Sequence, residues 1–258
     1  MLVIEDLHFD YNGLNILDGV NIKAHRGDLI GIVGPNGSGK TTLFKLISGV
    51  LKPTSGKIIA CETNMSAMNP KEKARLVSVV PQNSTLPPNY TVRDLVLMSR
   101  TPHLKLLQQE SRLDLEIAEH SMVLTEIDHL SERRVGTLSG GERQRAMLAM
   151  ALTQQTPVLL MDEPTASFDL GYQIGFYRLI KLLKTREVAV LLAMHDLSLA
   201  AQCCDRIIIL FKGGIYAEGT PKEVLTEEIL SDVYNTSIKV MYHPDSDSPV
   251  VVSTDRTN

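Results

Sequence analysis

The sequence predicts an α/β fold with three parts: a parallel-sheet core, an antiparallel β subdomain at the start of the chain, and a helical subdomain inserted in the middle. Three observations predict it. Residues 1–30 alternate apolar and polar positions in "MLVIEDLHFDY" and "VNIKAHRGD", the period of strands with one buried face. Three later runs, "LIGIV" at 29–33, "VLLM" at 158–161 and "VAVLLAM" at 188–194, are apolar without alternation, as are strands covered on both faces of a parallel sheet. Between these runs, residues 90–155 hold no strand-like stretch and carry helix starts and apolar stripes instead.

In chain order, the first strands turn at "YNGLN" and "LDG", and "GKIIA" with "RLVSVV" reads as a further strand pair. "TVRDLVLMSR" starts a helix at its Thr, "QQESRLDLEIAEHSMVLTEI" has an apolar stripe, and a third helix opens at Ser139. "RIIILFKGGIYAEG" reads as a hairpin turning on Gly213 and Gly214, and "TPKEVLTEEILSDVY" as one capped amphipathic helix. The last 15 or so residues, rich in Ser, Asp and Pro, carry little signal. The expected division is a core with its β subdomain at 1–83 and 156–230, a helical subdomain at 84–155 and a C-terminal extension at 231–258.

With 258 residues, 43% of them hydrophobic, the chain is long enough to bury about three quarters of its unfolded surface. A net charge of −4 supplies no basic field for nucleic acid or anionic lipid. No apolar run approaches the ~20 residues of a membrane span, and "MLVIEDLHFD" lacks the order of a signal peptide. A soluble, cytoplasmic protein is expected. The three cysteines make no disulfide framework, and Cys61, Cys203 and Cys204 read as small hydrophobes.

The three apolar runs matter for where they end, because ligands of open α/β sheets bind beyond the carboxyl ends of the strands. The first leads into "GPNGSGKTT", Gly34, Pro35, Asn36, Gly37, Ser38, Gly39, Lys40, Thr41 and Thr42, a phosphate-binding loop by spacing and by its strand-to-helix context. Its backbone N–H groups and the helix amino end suit phosphates, Lys40 suits the β and γ phosphates, and the Thr41 hydroxyl suits Mg²⁺. The second ends in Asp162 and Glu163, which face opposite ways as neighbours on a strand. Asp162 suits the Mg²⁺ shell and Glu163 the attacking water. The third ends in His195, a candidate partner for the γ phosphate or that water. Gln82, after "VVP", reads as a Mg²⁺ or water ligand or, equally, as a turn cap. Tyr11, in a polar turn, reads as an ordinary sheet tyrosine or as an aromatic able to stack on a purine.

"LSGGERQR" at 138–145 looks like a second phosphate site. Ser139 and Glu142 have capping-box spacing, yet capping alone does not require Gly140 and Gly141, which let a phosphate approach the backbone. The set of "GPNGSGKTT", Gln82, "LSGGERQR", "VLLMDEP", Asp169 and His195 resembles the ATP-binding-cassette ATPases, in order and over nearly the whole chain. That resemblance implies a RecA-like P-loop NTPase core, ATP and Mg²⁺, and a head-to-tail homodimer. In it Leu138, Ser139, Gly140, Gly141 and Glu142 of one copy contact the ATP held by the other. It gives Tyr11 the adenine and Gln82 the linking-loop role. Asp169 belongs to the dimer loop, where "ASFD" replaces the usual Ser-Ala-Leu-Asp and Ala166 lacks the hydroxyl.

"DLVLMSRTPHLKLL" at 94–107 is similar to the GRxPH segment of cassettes serving iron-siderophore, haem and cobalamin importers, through Arg100, Pro102 and His103, with Ser99 where glycine is usual. "AAQCCDRIIILFKGG" resembles the matching later segment. His103 reads equally as a solvated loop residue. The resemblance implies an ATPase subunit peripheral on the inner face of the cell membrane, bound to polytopic permease subunits and indirectly to a substrate-binding protein, with no nucleic acid. The alternatives are a DNA- or ribosome-acting cassette and the cassette of a metal-ion or export transporter. The DNA class separates loop and signature by a long coiled coil; here about a hundred residues without sustained heptads intervene.

Overall fold

The structure, a computed structural model, describes residues 1–82, 85–164 and 170–253. Strands β1 (Leu2–Tyr11) and β2 (Leu14–Ala24) pair antiparallel. Asn12 and Gly13 turn between them at φ 50° and 86°, angles that suit the strand twist. Then come β3 (Leu29–Val33), α1 (Lys40–Ile47), β4 (Ser55–Ala60), β5 (Thr63–Asn64), α2 (Pro70–Ala74) and β6 (Val77–Val80). The expected pairing of "GKIIA" with "RLVSVV" does not occur: β4 pairs β1 in a four-stranded antiparallel sheet ordered β2-β1-β4-β5, while β6 is the edge of a second sheet.

The helical region holds α3 (Val92–Met98), α4 (Arg112–Leu124) and α5 (Gly140–Thr153). Thr91, Ser111 and Ser139 each cap one helix by the reciprocal arrangement with the acid three residues on, a device read directly from sequence. The chain continues through β7 (Val158–Asp162), α6 (Leu170–Thr185), β8 (Ala189–Ala193), α7 (Leu197–Cys203), β9 (Arg206–Phe211) and β10 (Gly214–Gly219). Lys212 and Gly213 make the last turn, at φ 49° and 83°, so Gly214 belongs to the strand rather than to the turn.

Two further expectations are corrected. The region 220–234 is two helices, α8 (Pro221–Val224) and α9 (Glu227–Tyr234), because Leu225 leaves the helical region at φ −89°, ψ 65° and Thr226 caps afresh. Of the final residues that carried little signal, Pro249–Ser253 form a strand, β12, which pairs in a hairpin with β11 (Ile238–Tyr242).

The second sheet runs β10-β9-β3-β8-β7-β6, parallel except for the β10–β9 pair. Every residue of β3, β7 and β8 is buried. Leu29 and Val33 enter one apolar cluster, with α6, α7 and α9, while Ile30 and Ile32 enter another, with α1 and the antiparallel sheet. Each such aliphatic side chain contributes about 1.5–3 kcal/mol on burial, so this sheet is the rigid part that carries the loops. A third cluster joins α3, α4 and α5. Helix α5 serves both lobes: Met147, Leu148 and Ala151 face the core, Ala146 and Ala149 the helical cluster.

An ion pair closes the helical lobe. Arg100 Nε donates to Asp114 Oδ1 at 2.7 Å, with side chains only 8% and 9% exposed, and Arg100 Nη1 donates to Thr153 O at 3.0 Å and Gln155 Oε1 at 3.2 Å. The Ser111 hydroxyl first, and the Arg100 guanidinium beside it, hold the Asp114 carboxyl down to about 2. A folded-state value below the unfolded one stabilises above the ordinary carboxylate range, and that stability is lost as pH falls through about 4 to about 2. The gap in urea midpoint between wild type and Asp114→Asn is therefore expected to be widest above about pH 4 and to shrink towards about pH 2. A gap independent of pH would contradict it.

Candidate active site

The phosphate-binding loop leaves β3 at Gly34, whose φ is 147°; a Cβ there would lie 2.1 Å from the carbonyl oxygen of Leu210 on β9. Only glycine lets the chain pass. At the other end Gly39, at φ 102°, precedes α1 without a side-chain cap, so the first amides of α1 keep no side-chain competitor and retain the positive end of the helix dipole. Asn36 and Gly37 are exposed, Ser38 and Lys40 buried, and Pro35 and Thr42 half-buried. Lys40 Nζ curls over the loop, donating to Gly34 O at 2.7 Å and Pro35 O at 3.1 Å. Burial lowers its pKa, and the nearby Glu163 and Asp162 carboxylates oppose that. Ser38 Oγ is buried with no partner.

Thr41 Oγ1 donates to Asp162 Oδ2 at 2.9 Å, joining the loop to the end of β7. The other oxygen of Asp162, Oδ1, is buried without a hydrogen-bond partner among the described residues. Burial raises the pKa of this carboxyl, and the Thr41 bond works against the shift. An orphaned carboxylate oxygen costs free energy unless a cation or donor meets it, and a hard divalent ion beside an Asp oxygen and a Thr hydroxyl fits this pair.

Glu163 sits differently. Its φ is 52°, an unusual conformation for a non-glycine residue and one that concentrates at functional sites. Its N–H donates to Ala193 O at 2.9 Å, which fixes it beside the end of β8. One carboxylate oxygen accepts from Gln82 Nε2 at 2.5 Å, and the other pairs with His195 Nε2. The His195 side chain is 46% exposed and that of Glu163 15%, so the imidazole forms the solvent side of the pair. Sequence reasoning put all three residues near this edge without assigning the contacts among them. It also passed over Asp196, whose side chain accepts from Leu199 N at 2.9 Å and caps the helix that follows His195. An aspartate before an apolar helical run is a readable cap signal.

Tyr11 is not in a turn: it ends β1 opposite Leu14. Its ring, 44% exposed, stands edge-on to Phe9 with centroids 4.7 Å apart. Two residues beyond Leu14, Ile16 O and the Leu17 side chain meet the position of a Cβ on Gly39. Tyr11 thus stands a short way along the sheet from the phosphate loop.

Leu138 is buried in the helical lobe. The Ser139 hydroxyl accepts from Glu142 N at 3.3 Å and Ser139 N donates to Glu142 Oε2 at 2.6 Å, bonds that hold the Glu142 carboxyl below its usual range. Among the described residues no hydrogen bond or ion pair joins 138–142 to the loop at 34–42. Among the described residues, a Cβ on Gly140 would meet nothing within 4 Å beyond its own neighbours in the chain and helix, so none of their packing demands glycine there. Asp169 and Ala166 lie outside the described residues.

His103 is no solvated loop residue. Its Nε2–H donates to Gln154 O at 2.8 Å, while Arg75 Nε donates to Pro102 O at 2.6 Å and Lys71 Nζ reaches Leu104 O. With Ser99 closing α3 and Arg100 bound to Asp114, the segment is stapled to α2 and to the end of α5.

The sequence pattern of the ABC transporter family matches residues 17–166. The hemin import ATP-binding protein HmuV of Gloeobacter violaceus is 39% identical, covering 92% of this chain and 88% of its own length. The ferric enterobactin transport ATP-binding protein FepC of Escherichia coli is 35% identical, covering 98% of this chain and 94% of its own. The cobalamin import ATP-binding protein BtuD of Halobacterium salinarum is 36% identical over 94% of this chain, which spans 61% of that relative's length. Among solved structures, an ATP-binding cassette of an ABC transporter in its ADP conformation superposes with TM-score 0.80 at 26% identity, covering 91% of this chain and 98% of that one. A dimeric bacterial ABC transporter cassette gives 0.76 at 26%, covering 85% and 98%.

Gly34→Ala drives a methyl group into the Leu210 carbonyl. It is expected to weaken binding of a fluorescent ATP analogue by at least about tenfold, or ~1.4 kcal/mol, in protein that still folds by circular dichroism. Binding within about twofold of wild type would show that the loop has room to shift.

Proposed function

The chain belongs to the ABC transporter family, and from that premise we propose that it is the ATP-hydrolysing subunit of a membrane importer for an iron-siderophore, haem or cobalamin-like metal chelate. One observation carries the hydrolytic part. Asp162, bonded to Thr41 of the phosphate loop, is followed directly by Glu163, whose carboxylate lies between Gln82 and His195. The importer class is supported by the hemin, enterobactin and cobalamin import proteins among its relatives.

In this reading the loop amides from Gly34 to Thr42 hold the ATP phosphates, and Lys40 exchanges its loop carbonyls for the β and γ phosphates. Thr41 and Asp162 hold Mg²⁺, which when bound neutralises phosphate charge. Glu163 orients the attacking water and accepts its proton. Each of its oxygens accepts one contact, from Gln82 or His195, and keeps a second lone pair for that proton. Gln82 precedes the connection to the helical lobe, so a shift of that lobe reaches Glu163 through it. His195, from its place beside Glu163, donates to the γ phosphate.

Ser139, Gly140 and Gly141, with Leu138 and Glu142, act on the ATP of a second copy of this chain, the two pairing head to tail. The exposure of Ser139 and Gly140 at the amino end of α5 and the open space at the Gly140 Cβ position among the described residues support that surface. Asp169 lies at the dimer loop and Tyr11 against the adenine. Among the described residues no helix is long and apolar enough to cross a membrane. Transport is therefore assigned to polytopic permease subunits fed by a substrate-binding protein, with this subunit on the inner membrane face and no nucleic-acid role.

Glu163→Gln is expected to lower ATP turnover by about two to four orders of magnitude while ATP binding persists. Steady-state hydrolysis beside equilibrium binding tests it; unchanged turnover would remove Glu163 from its role. The tagged wild-type protein is expected to copurify with a polytopic membrane protein. Recovery with ribosomes or DNA alone would overturn the importer reading.

A further inference from the structure

The chain beyond β10 is built into the site's foundations. Val224, Leu225, Leu230, Val233 and Ile238 share one apolar cluster with Val33, the residue before the phosphate loop, and with Met194 and Leu197 on either side of the His195 segment. A polar tie runs the same way. The N–H of Val251 on β12 donates to Ser198 Oγ at 2.9 Å, and Ser198 lies in the first turn of α7, three residues after His195.

The hairpin is gripped from both edges. Val240 and Val251 oppose each other in β11 and β12. Val240 N donates outward to Glu227 Oε1 at 3.1 Å and Val251 N outward to Ser198, the pattern of a pair whose own N–H groups face away from each other. Further out, Tyr216 on β10 donates to Asp232 on α9, and Lys222 on α8 pairs with Asp247 in the hairpin loop. The unit is thus fixed to the core at several points, and its inner polar contact falls on the helix that follows His195.

We propose that residues 221–253 form a positioning brace for hydrolysis, in which β12 holds Ser198, and through α7 the His195 imidazole, beside Glu163. Ser198 is a positioning residue that acts through His195. The inference rests on the hydrolytic reading of Glu163 and His195. Its physical basis is the steep dependence of rate on geometry: a displacement of about 1 Å far from the chemistry is able to cost about a hundredfold.

The test uses the full chain. Ser198→Ala removes one oxygen and opens no large cavity. It is expected to lower kcat for ATP hydrolysis by about tenfold with KM for ATP within about twofold, and Ser198→Thr is expected to restore it. Without nucleotide, backbone amides at 194–200 are expected to exchange faster in Ser198→Ala than in wild type, while thermal midpoints stay within a few degrees. A kcat for Ser198→Ala within about twofold of wild type overturns the brace. So does a loss that threonine does not reverse. If the wild type hydrolyses no ATP, the reading of Glu163 fails, and amide exchange decides the brace: unchanged rates at 194–200 overturn it.

Discussion

The fixed register of four parallel strands is the constraint on which the active site depends. Val80 of β6 lies opposite Met161 of β7, Asp162 opposite Ala193 of β8, and Ala193 opposite Ile32 of β3. Residues that leave these strands therefore meet at one edge although they are far apart in sequence. The apolar character of the strands does not set that register, since a strand buried on both faces loses little apolar contact on sliding by two residues. Hydrogen bonds at the strand ends pin it instead: Val158 N to Leu76 O, Ala189 N to Pro157 O and Val190 N to Asp28 O at one end, Glu163 N to Ala193 O at the other. The last of these bonds is made by Glu163 in its left-handed conformation, so the pin also fixes the backbone of a candidate site residue.

Helix α5 extends that constraint into the second lobe. Opposite faces of it enter two apolar clusters, its first turn carries Ser139 and its Glu142 partner, and its last turn receives the bonds from Arg100 and His103. The capping box fixes the direction of the helix at one end, and the stapled segment fixes it at the other. Cores packed to crystal-like density do not deform smoothly. A helix packed on both sides at that density is held as one rigid element.

What the sequence made legible was local. The glycines around Lys40, the Ser-x-x-Glu box and the long apolar runs each need only a few neighbouring residues to declare a physical requirement. The pairing of strands was not local: residues 55–60 and 77–80 look alike as strands, and only their destinations separate them into different sheets. The break at Leu225 also escaped, because "TPKEVLTEEILSDVY" keeps an amphipathic period across it. The terminal hairpin was hidden by its own Ser, Asp and Pro turn, although "IKVMY" and "PVVVS" are rich in β-branched residues. The contact of Gln82 with Glu163 spans 81 positions; each residue was marked as a candidate, but no spacing rule joins them.

Gly140 has an implication for anyone redesigning this chain. It opens α5, and among the described residues nothing beyond its own neighbours in the chain and helix stands within 4 Å of where its Cβ would be, while alanine is the better helix former by about 0.5–1 kcal/mol. An optimiser scoring one isolated copy for thermal resistance would thus discard this glycine early and record an improvement. Under the head-to-tail pairing proposed above, the worth of that glycine lies in the assembled pair, where a measurement confined to the monomer does not reach it.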